Sequence, residues 1–467
     1  MITEQEERNQ LLESFLERYY FDSFRNPGPK YEKILELYIK SQCPSNCSYC
    51  YLAKHGKELY PYDLQNEENI LKNLEIIIDW YITNRFKCAI SLFSGEIICS
   101  GLAFKIFDIM LEKWKDTDYR PSAIMFPENA DFIHKKPELM PKVDEYIQKF
   151  TDLDIEFTFS LSVDGKYMDE NRSRADRPHN FYENVIGFAS HHYFAFHPMV
   201  SAYNIEKWKD NYDWWNGPEV PSHVGDRMMT LEVRNDDWTE EKITQYLEFL
   251  DHVINTEFEK KAFSDKERFA RRIVQKENYP NKGYDMIALP NFFNDSNLDN
   301  NGIGCSIKNA LSIRVGDLAI VPCHRLSYEQ FITGKLLTEN NKIVGFEGGN
   351  WEILSAILSW NRATAHKCSK CEINKWCMGP CFGSNFESTN EIFITPQSVC
   401  NLFRVKIMFL VMKYYDMGLF PYFEKLLSEK HYKDLLKFKN DLEAKFEQDG
   451  TILSDRINAA KRDKRPI

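Results

Sequence analysis

The sequence has no apolar run approaching the roughly 20 residues needed to cross a bilayer. Ile407–Met412 is apolar but short, with lysines on both sides. The N-terminus, Met1–Arg8, lacks both the basic and the apolar part of a signal peptide. Positive charge is also in deficit: Lys and Arg total 59 against 70 Asp and Glu, a formal net charge of −11. Binding along a phosphate backbone needs clustered cations, so an acidic chain is excluded as a general nucleic-acid binder. The one short basic stretch, Lys461–Arg465, reads as a solvated end. There is no internal repeat and no low-complexity tract. These absences predict a cytoplasmic protein with no membrane and no nucleic-acid partner. In that compartment thiols stay reduced, so clustered cysteines point to metal rather than to disulfides.

What is present is a chain of 467 residues, 43% hydrophobic and 14% aromatic, enough for two or three packed domains. Residues 1–30 read as a helical lead-in. Strand-like runs then follow at Ile34–Ile39, Ala89–Phe93, Ala123–Phe126, Ile155–Val163, Phe194–Val200 and Met228–Val233, with helical segments between them. Ile70, Leu71, Leu74, Ile77, Ile78 and Tyr81, for example, share one face at a 3.6-residue period. Six βα units in series imply a parallel sheet with right-handed crossovers. They are too few for the eight-stranded barrel, so the expected fold is α/β, a partial (β/α)6 TIM-like barrel over residues 31–260. Residues 261–300 are charged, then rich in Asn, Asp and Pro, and read as a linker. Residues 301–400 are cysteine-rich, and 401–467 return to helix.

The 12 cysteines are not scattered. Three form Cys43-x3-Cys47-x2-Cys50, directly after the first strand, where parallel βα barrels place their chemistry. Structural zinc wants four ligands, and the nearest extra candidate is His55. Three thiolates instead suit a 4Fe–4S cluster with one iron open. A second group reads Cys368-x2-Cys371-x5-Cys377-x3-Cys381, with Cys400 beyond it and Cys305 and Cys323 upstream. Here a zinc knuckle or ribbon is the alternative. Cys88 and Cys99 stand apart in apolar settings and are expected to be buried small hydrophobes.

Cys-x3-Cys-x2-Cys with Tyr49 before the last cysteine resembles the radical S-adenosylmethionine (SAM) signature. That resemblance implies a cluster on Cys43, Cys47 and Cys50 whose open iron SAM chelates. Electron transfer then cleaves SAM to a 5′-deoxyadenosyl radical. Ser94-Gly95-Glu96-Ile97 resembles the family's Gly-Gly-Glu-Pro motif for the SAM amino group, with Ser94 and Ile97 as departures. Ser162-Val163-Asp164-Gly165, with Asp169–Arg172 beyond, resembles the segment whose Ser and Arg contact SAM. Arg172 and Arg174 both fit the arginine role. Ser201 and Asn204 follow the fifth strand, where the family places ribose contacts; turn chemistry is the alternative for both.

The C-terminal cysteines resemble a SPASM domain, which holds two auxiliary 4Fe–4S clusters and makes three in all. The resemblance implies an outer cluster on Cys368, Cys371, Cys377 and Cys400, and an inner one on Cys305, Cys323 and Cys381. The inner cluster's fourth position would then be open, filled by substrate, or filled by a group such as His324. The family's Gly-x4-Cys is lengthened here, with six residues between Gly316 and Cys323. Ser312–Cys323 reads as a hairpin with a Gly-Asp turn.

By resemblance the activity is that of an oxidoreductase acting on a peptide or protein: a maturase of ribosomally made peptides that installs a crosslink. It would need a reductant such as flavodoxin or ferredoxin. Only 42 residues precede Cys43, so leader recognition is expected to need either a separate leader-peptide-binding protein or another surface of this chain. The rivals are an anaerobic sulfatase-maturating, formylglycine-forming enzyme and a non-enzymatic zinc-binding scaffold. Formylglycine formation needs a base, for which Glu232, Asp236 and Asp237 are candidates. Trp214 and Trp215 are candidates for lining a peptide groove, with core packing as the alternative.

Overall fold

The computed structural model describes residues 3–28, 33–45, 47–168, 180–192, 194–225, 227–228, 231–235, 237–260, 265–274, 284–289, 306–377 and 379–448. The chain forms two compact units. The first comprises residues 1–199, 214–229 and 305–359; the second comprises 200–213, 230–304 and 360–467.

In the first unit, helix α1 (Glu4–Leu16) begins with a capping box, Thr3 and Glu6 each bonding the other's backbone N–H. Strand β1 (Ile34–Lys40) follows, then α2 (Tyr51–Leu59), α3 (Glu67–Thr83) and β2 (Ala89–Ser94). The series continues through α4 (Leu102–Trp114), β3 (Ala123–Glu128), α5 (Met140–Thr151), β4 (Glu156–Leu161), α6 (Phe181–His191) and β5 (Phe194–Phe196). Strands β1 to β5 pair in parallel, each beside its successor. β1 is buried from Leu35 through Ile39 with no alternation, as a parallel strand covered on both faces must be. The apolar face expected of α3 is the buried one, with Ile70, Leu74, Ile77, Ile78 and Tyr81 inside.

Of the sixth expected strand, Leu231–Glu232 forms a short strand of a separate two-stranded sheet. Met228 makes a single parallel bridge to Phe196, whose N–H donates to Arg227 O at 3.0 Å. The sheet grows instead from the other edge of β1. Strand β6 (Ala310–Arg314) pairs in parallel with β1, Ile34 opposite Ala310 and Tyr38 opposite Arg314. β7 (Ala319–Val321), β8 (Gly334–Glu339) and β9 (Lys342–Gly348) continue it in antiparallel fashion, giving the order β9-β8-β7-β6-β1-β2-β3-β4-β5. The two end strands are not neighbours, so the sheet is an open, partial barrel.

The β6–β7 hairpin matches the one read from Ser312–Cys323. Its buried Arg314 pairs with Asp317 across the turn and donates to Ser327 O at 3.0 Å. Helix α1 lies along β9, where Asn9 Oδ1 accepts the Gly348 N–H at 2.8 Å and covers that edge.

The second unit is mainly helical, with α7 (Glu240–Lys260), α8 (Lys266–Val274), α9 (Phe382–Thr389), α10 (Gln397–Asp416), α11 (Phe420–Leu426) and α12 (Glu429–Gln448). Helix α8 lies within the span read as linker. Its Phe269, Ala270, Ile273 and Val274 are buried at helical spacing among charged neighbours, a pattern easily lost beside the Asn- and Pro-rich stretches. Among the described residues no helix is long and apolar enough to cross a membrane.

Candidate active site

The loop from Lys40 to Cys50 leaves the C-terminal end of β1, and Cys50 is the N-cap of α2. Cys50 N–H donates to Cys47 O at 3.0 Å, closing the turn. Cys47 is buried, and Cys43 and Cys50 are half-buried. The Cys43 thiol is pushed up to about 12, chiefly by burial, against a lowering hydrogen bond from the Ser45 backbone and with Cys50 and Cys47 adding to the rise. The three sulfurs therefore act on one another. A buried thiol of this kind stays protonated unless positive charge is placed against it, which is the chemistry of a site for iron. His55 does not join them: its Nδ1 lies 3.3 Å from Glu58, one turn along the same helix.

The Ser94-Gly95-Glu96 loop sits directly on this cysteine loop. Gly95 N–H donates to Lys40 O at 3.0 Å. A Cβ at Gly95 would stand 2.1 Å from Gln42 O and 2.8 Å from Cys43 Cβ, so only glycine allows the approach. Ser94 is buried and its Oγ has no hydrogen-bond partner. Such an orphan fits a contact left for a ligand. The Glu96 carboxyl is held above its usual range by burial, and its Oε1 accepts the Cys99 N–H at 2.7 Å.

Cys99 differs from the expectation of a buried hydrophobe. It is half-buried, and its thiol faces Glu96; after burial, Glu96 and then Glu128 are the largest influences pushing its titration up. The turn after β2 explains this, since it swings Cys99 back toward the Glu96 carboxylate. Cys88 is fully buried, as expected.

Strand ends β3 and β4 supply residues that the motifs did not mark. After β3, Asn129 Nδ2 lies 3.3 Å from Ser45 Oγ and 4.0 Å from Cys43 Sγ, and buried Asp131 accepts from Lys135 at 2.9 Å. Between them Ala130 takes φ 64, a left-handed conformation that a residue with a side chain rarely holds. After β4, Ser162 N–H donates to Glu128 O at 2.7 Å. Tyr49 OH donates to Asp164 Oδ2 at 3.1 Å, and Asp164 Oδ1 accepts the Met199 N–H at 2.9 Å. Fully buried Asp164 thus ties the cysteine loop to the ends of β4 and β5. Trp215 Nε1 donates to Asp164 O at 2.9 Å, and both Trp214 and Trp215 are buried, so they pack rather than line an exposed groove. The rule that barrel chemistry gathers at strand ends would have singled out Glu128–Asp131. Arg172, Arg174 and the rest of 169–179 lie outside the described residues.

Cys323 ends the β6–β7 hairpin in the first unit, and Cys381 is the N-cap of α9 in the second; Cys305 lies outside the described residues. His324 Nδ1 is 2.8 Å from Glu36 Oε2, and its ring stacks on Phe93 at 3.8 Å. Ser312 also bonds Glu36. Burial pushes the Glu36 carboxyl up, but His324 and Ser312 outweigh it and hold the group below its usual range.

In the second unit Cys368, Cys371, Cys377 and Cys400 come together. The Cys400 thiol is pushed up to about 11, first by burial and then by Cys377, Cys368 and Cys371. Gly379, at φ 79, turns its N–H onto Cys377 Sγ at 3.4 Å. Among the described residues no three His, Cys, Asp or Glu converge tightly enough for a single metal ion.

Ser201 and Asn204 also belong to the second unit. Asn204 Oδ1 accepts from Ser201 N–H at 2.8 Å and from Trp208 Nε1 at 3.0 Å, while the buried Ser201 Oγ has no hydrogen-bond partner. Of the candidate bases, Asp237 accepts from Asn235 and Tyr203, while Asp236 lies outside the described residues.

Glu232 is a poor base because it is buried against Lys406 Nζ and accepts from Tyr246 OH at 2.6 Å. Burial pushes its carboxyl up, but Lys406 and Tyr246 outweigh that and hold it below the usual range. A carboxyl lowered on folding contributes stability above its unfolded value and loses it as pH falls through the lower, folded one. Lys406→Met should therefore cost about 3–5 kcal/mol near neutral pH in urea unfolding. That cost should shrink in acid, and Glu232→Leu with Lys406→Met should recover most of it.

The open sheet, with a cysteine loop at the end of its first strand and a cysteine-rich second unit, is the fold of radical SAM enzymes that carry a SPASM domain. Two solved structures of anSMEcpe, an anaerobic sulfatase-maturating enzyme, share it. The native protein with bound AdoMet and Cp18Cys peptide matches at TM-score 0.50 and 14% identity, over 88% of this chain and 99% of that one. A hexahistidine-tagged form with bound AdoMet matches at TM-score 0.52 and 15% identity, over 83% and 98%. No family model and no curated protein matches the chain.

Proposed function

We propose that this protein is a cytoplasmic radical SAM enzyme that removes hydrogen from a peptide or protein to install a crosslink. The observation that carries the reading is the Gly95 backbone seated on the Cys43 loop, which sets the Ser94–Glu96 turn beside three mutually interacting thiols. Cys43, Cys47 and Cys50 would hold one 4Fe–4S cluster, leaving an iron for AdoMet. Cys368, Cys371, Cys377 and Cys400 would hold a second cluster, and Cys305, Cys323 and Cys381 a third. When bound, the open-iron cluster with AdoMet supplies a carbon radical that takes a hydrogen atom, and the auxiliary clusters supply an acceptor for the electron left behind.

The protein's own residues do the positioning. Ser94 and Glu96 would contact the amino group of AdoMet, Asp164 and Tyr49 hold the cysteine loop in place, and Ser162 and Arg172 are candidate AdoMet contacts. The expected partners are a peptide substrate, a leader-peptide-binding protein, and flavodoxin or ferredoxin as reductant.

The Cp18Cys peptide bound to anSMEcpe favours a second reading, oxidation of a cysteine to formylglycine. Mass spectrometry of a candidate peptide after anaerobic reaction separates the two. The crosslink predicts loss of a hydrogen pair with the sulfur retained; formylglycine predicts exchange of the thiol for an aldehyde. An unmodified peptide mass, with 5′-deoxyadenosine formed and no deuterium taken up from solvent, would remove both.

A further inference from the structure

Arg362 is buried, with 3% of its surface exposed, on the turn before Cys368. Its Nε and Nη2 have no hydrogen-bond partner. The turn is pinned to the cysteine loop by one side chain, since Asn374 Nδ2 donates to Arg362 O at 3.0 Å and also to Cys368 O. Burial weighs against the charged guanidinium, and the groups that favour it are Cys377, Cys368 and Cys371. Neutral thiols offer a buried cation very little, and an unpaired buried charge is strongly destabilising. The arrangement makes electrostatic sense once those sulfurs carry negative charge.

Two other arginines act on the same thiols, Arg234 on Cys377 and Arg404 on Cys400. Both have other partners: Arg234 lies 3.4 Å from Gly379 O, and Arg404 lies 3.4 Å from Glu372.

We propose that Arg362 serves the outer auxiliary cluster, its buried positive charge and free N–H groups raising the reduction potential of the iron held by Cys368, Cys371, Cys377 and Cys400. The proposal rests on the auxiliary-cluster reading above. A cluster with four thiolates is already negative, and reduction adds one electron and one further negative charge with no proton required. Fixed positive charge beside the sulfurs stabilises the reduced form more than the oxidised form. The electron comes from the substrate radical left by hydrogen abstraction. Arg362 is a positioning residue that acts through the cluster and does not touch substrate.

The test is a dye-mediated redox titration of the anaerobically reconstituted, full-length protein, followed by EPR. Arg362→Gln should change the reduced-to-oxidised ratio of the outer cluster at least tenfold, a fall of about 59 mV for a one-electron couple. The other two midpoints should stay in place, and Arg362→Lys should restore most of the outer one. An unchanged outer midpoint in Arg362→Gln, with the cluster intact, overturns the proposal. If Arg362→Gln does not retain the cluster, Arg362→Lys decides: retention at a potential near the wild-type value supports the charge role, and loss overturns it. A wild-type protein with no EPR signal removable by Cys368→Ala with Cys371→Ala would remove the cluster reading itself, and the proposal with it.

Discussion

Replacing Cys43, Cys47 and Cys50 together by alanine is expected to abolish AdoMet cleavage and to leave about eight of about twelve irons bound, the share of two four-iron clusters out of three. The three thiols line one loop, and none has a substitute nearby: His55 is engaged with Glu58, and Cys99 faces Glu96. The four thiols of the second unit form their own group and should keep their cluster. 5′-Deoxyadenosine measured by chromatography, beside iron and sulfide analysis, checks both halves. Cleavage that survives in the triple variant would move the chemistry to another site. Zinc with an iron count near zero in the unmodified protein would favour the scaffold.

Gly95→Ala is expected to have the next largest effect, although it adds one methyl group. The new Cβ would stand 2.1 Å from Gln42 O and 2.6 Å from Gln42 C, both backbone atoms, so no side chain can swing aside. Either β2 or the cysteine loop must move by roughly an ångström, at a cost of about 3 kcal/mol if the fold absorbs it. Because Cys43 belongs to the displaced loop, the variant should lose the iron of that cluster and its AdoMet binding while keeping the auxiliary iron. Ser94→Ala is the control, since it removes the orphaned hydroxyl without moving backbone. It should weaken AdoMet binding and leave the iron count unchanged. A Gly95→Ala protein with full iron and normal AdoMet affinity would show that the two loops do not depend on this contact.

The parallel strands and the cysteine loop were legible because each is a local signal. A run such as Ile34–Ile39, apolar except for Glu36, reads as a strand, and three thiols within eight positions read as a metal loop. What escaped depends on how the folded chain turns and on contacts that only the fold makes. Asn129 reaches Cys43, 86 positions earlier in the chain, only once the end of β3 is brought to the cysteine loop by the strands between them. Cys99 looked like a hydrophobe because Ile97 and Ile98 precede it; the turn that returns it to Glu96 carries no sequence mark. Met228–Val233 has the composition of one strand, but among its described residues Met228 makes a single bridge to the main sheet while Leu231–Glu232 belongs to a separate two-stranded one. Arg362 has nothing unusual about it in sequence and becomes conspicuous only through its burial and its unpaired nitrogens.

The pairing of β6 with β1 has a consequence for how the protein is made. Ser312 and Glu36, bonded across that pair, are 276 positions apart. At roughly 5–20 residues per second the ribosome takes on the order of half a minute to supply β6 after β1 has emerged. Throughout that interval the apolar edge of β1 is bare, beside a loop of oxidisable thiols, and an uncovered strand edge invites pairing with other chains. A contact this remote also closes slowly once the chain is complete. Assembly of the first unit is therefore completed late in synthesis or after it, and yield in a cell should depend more on chaperone capacity and low oxygen during that wait than on the stability of the finished protein.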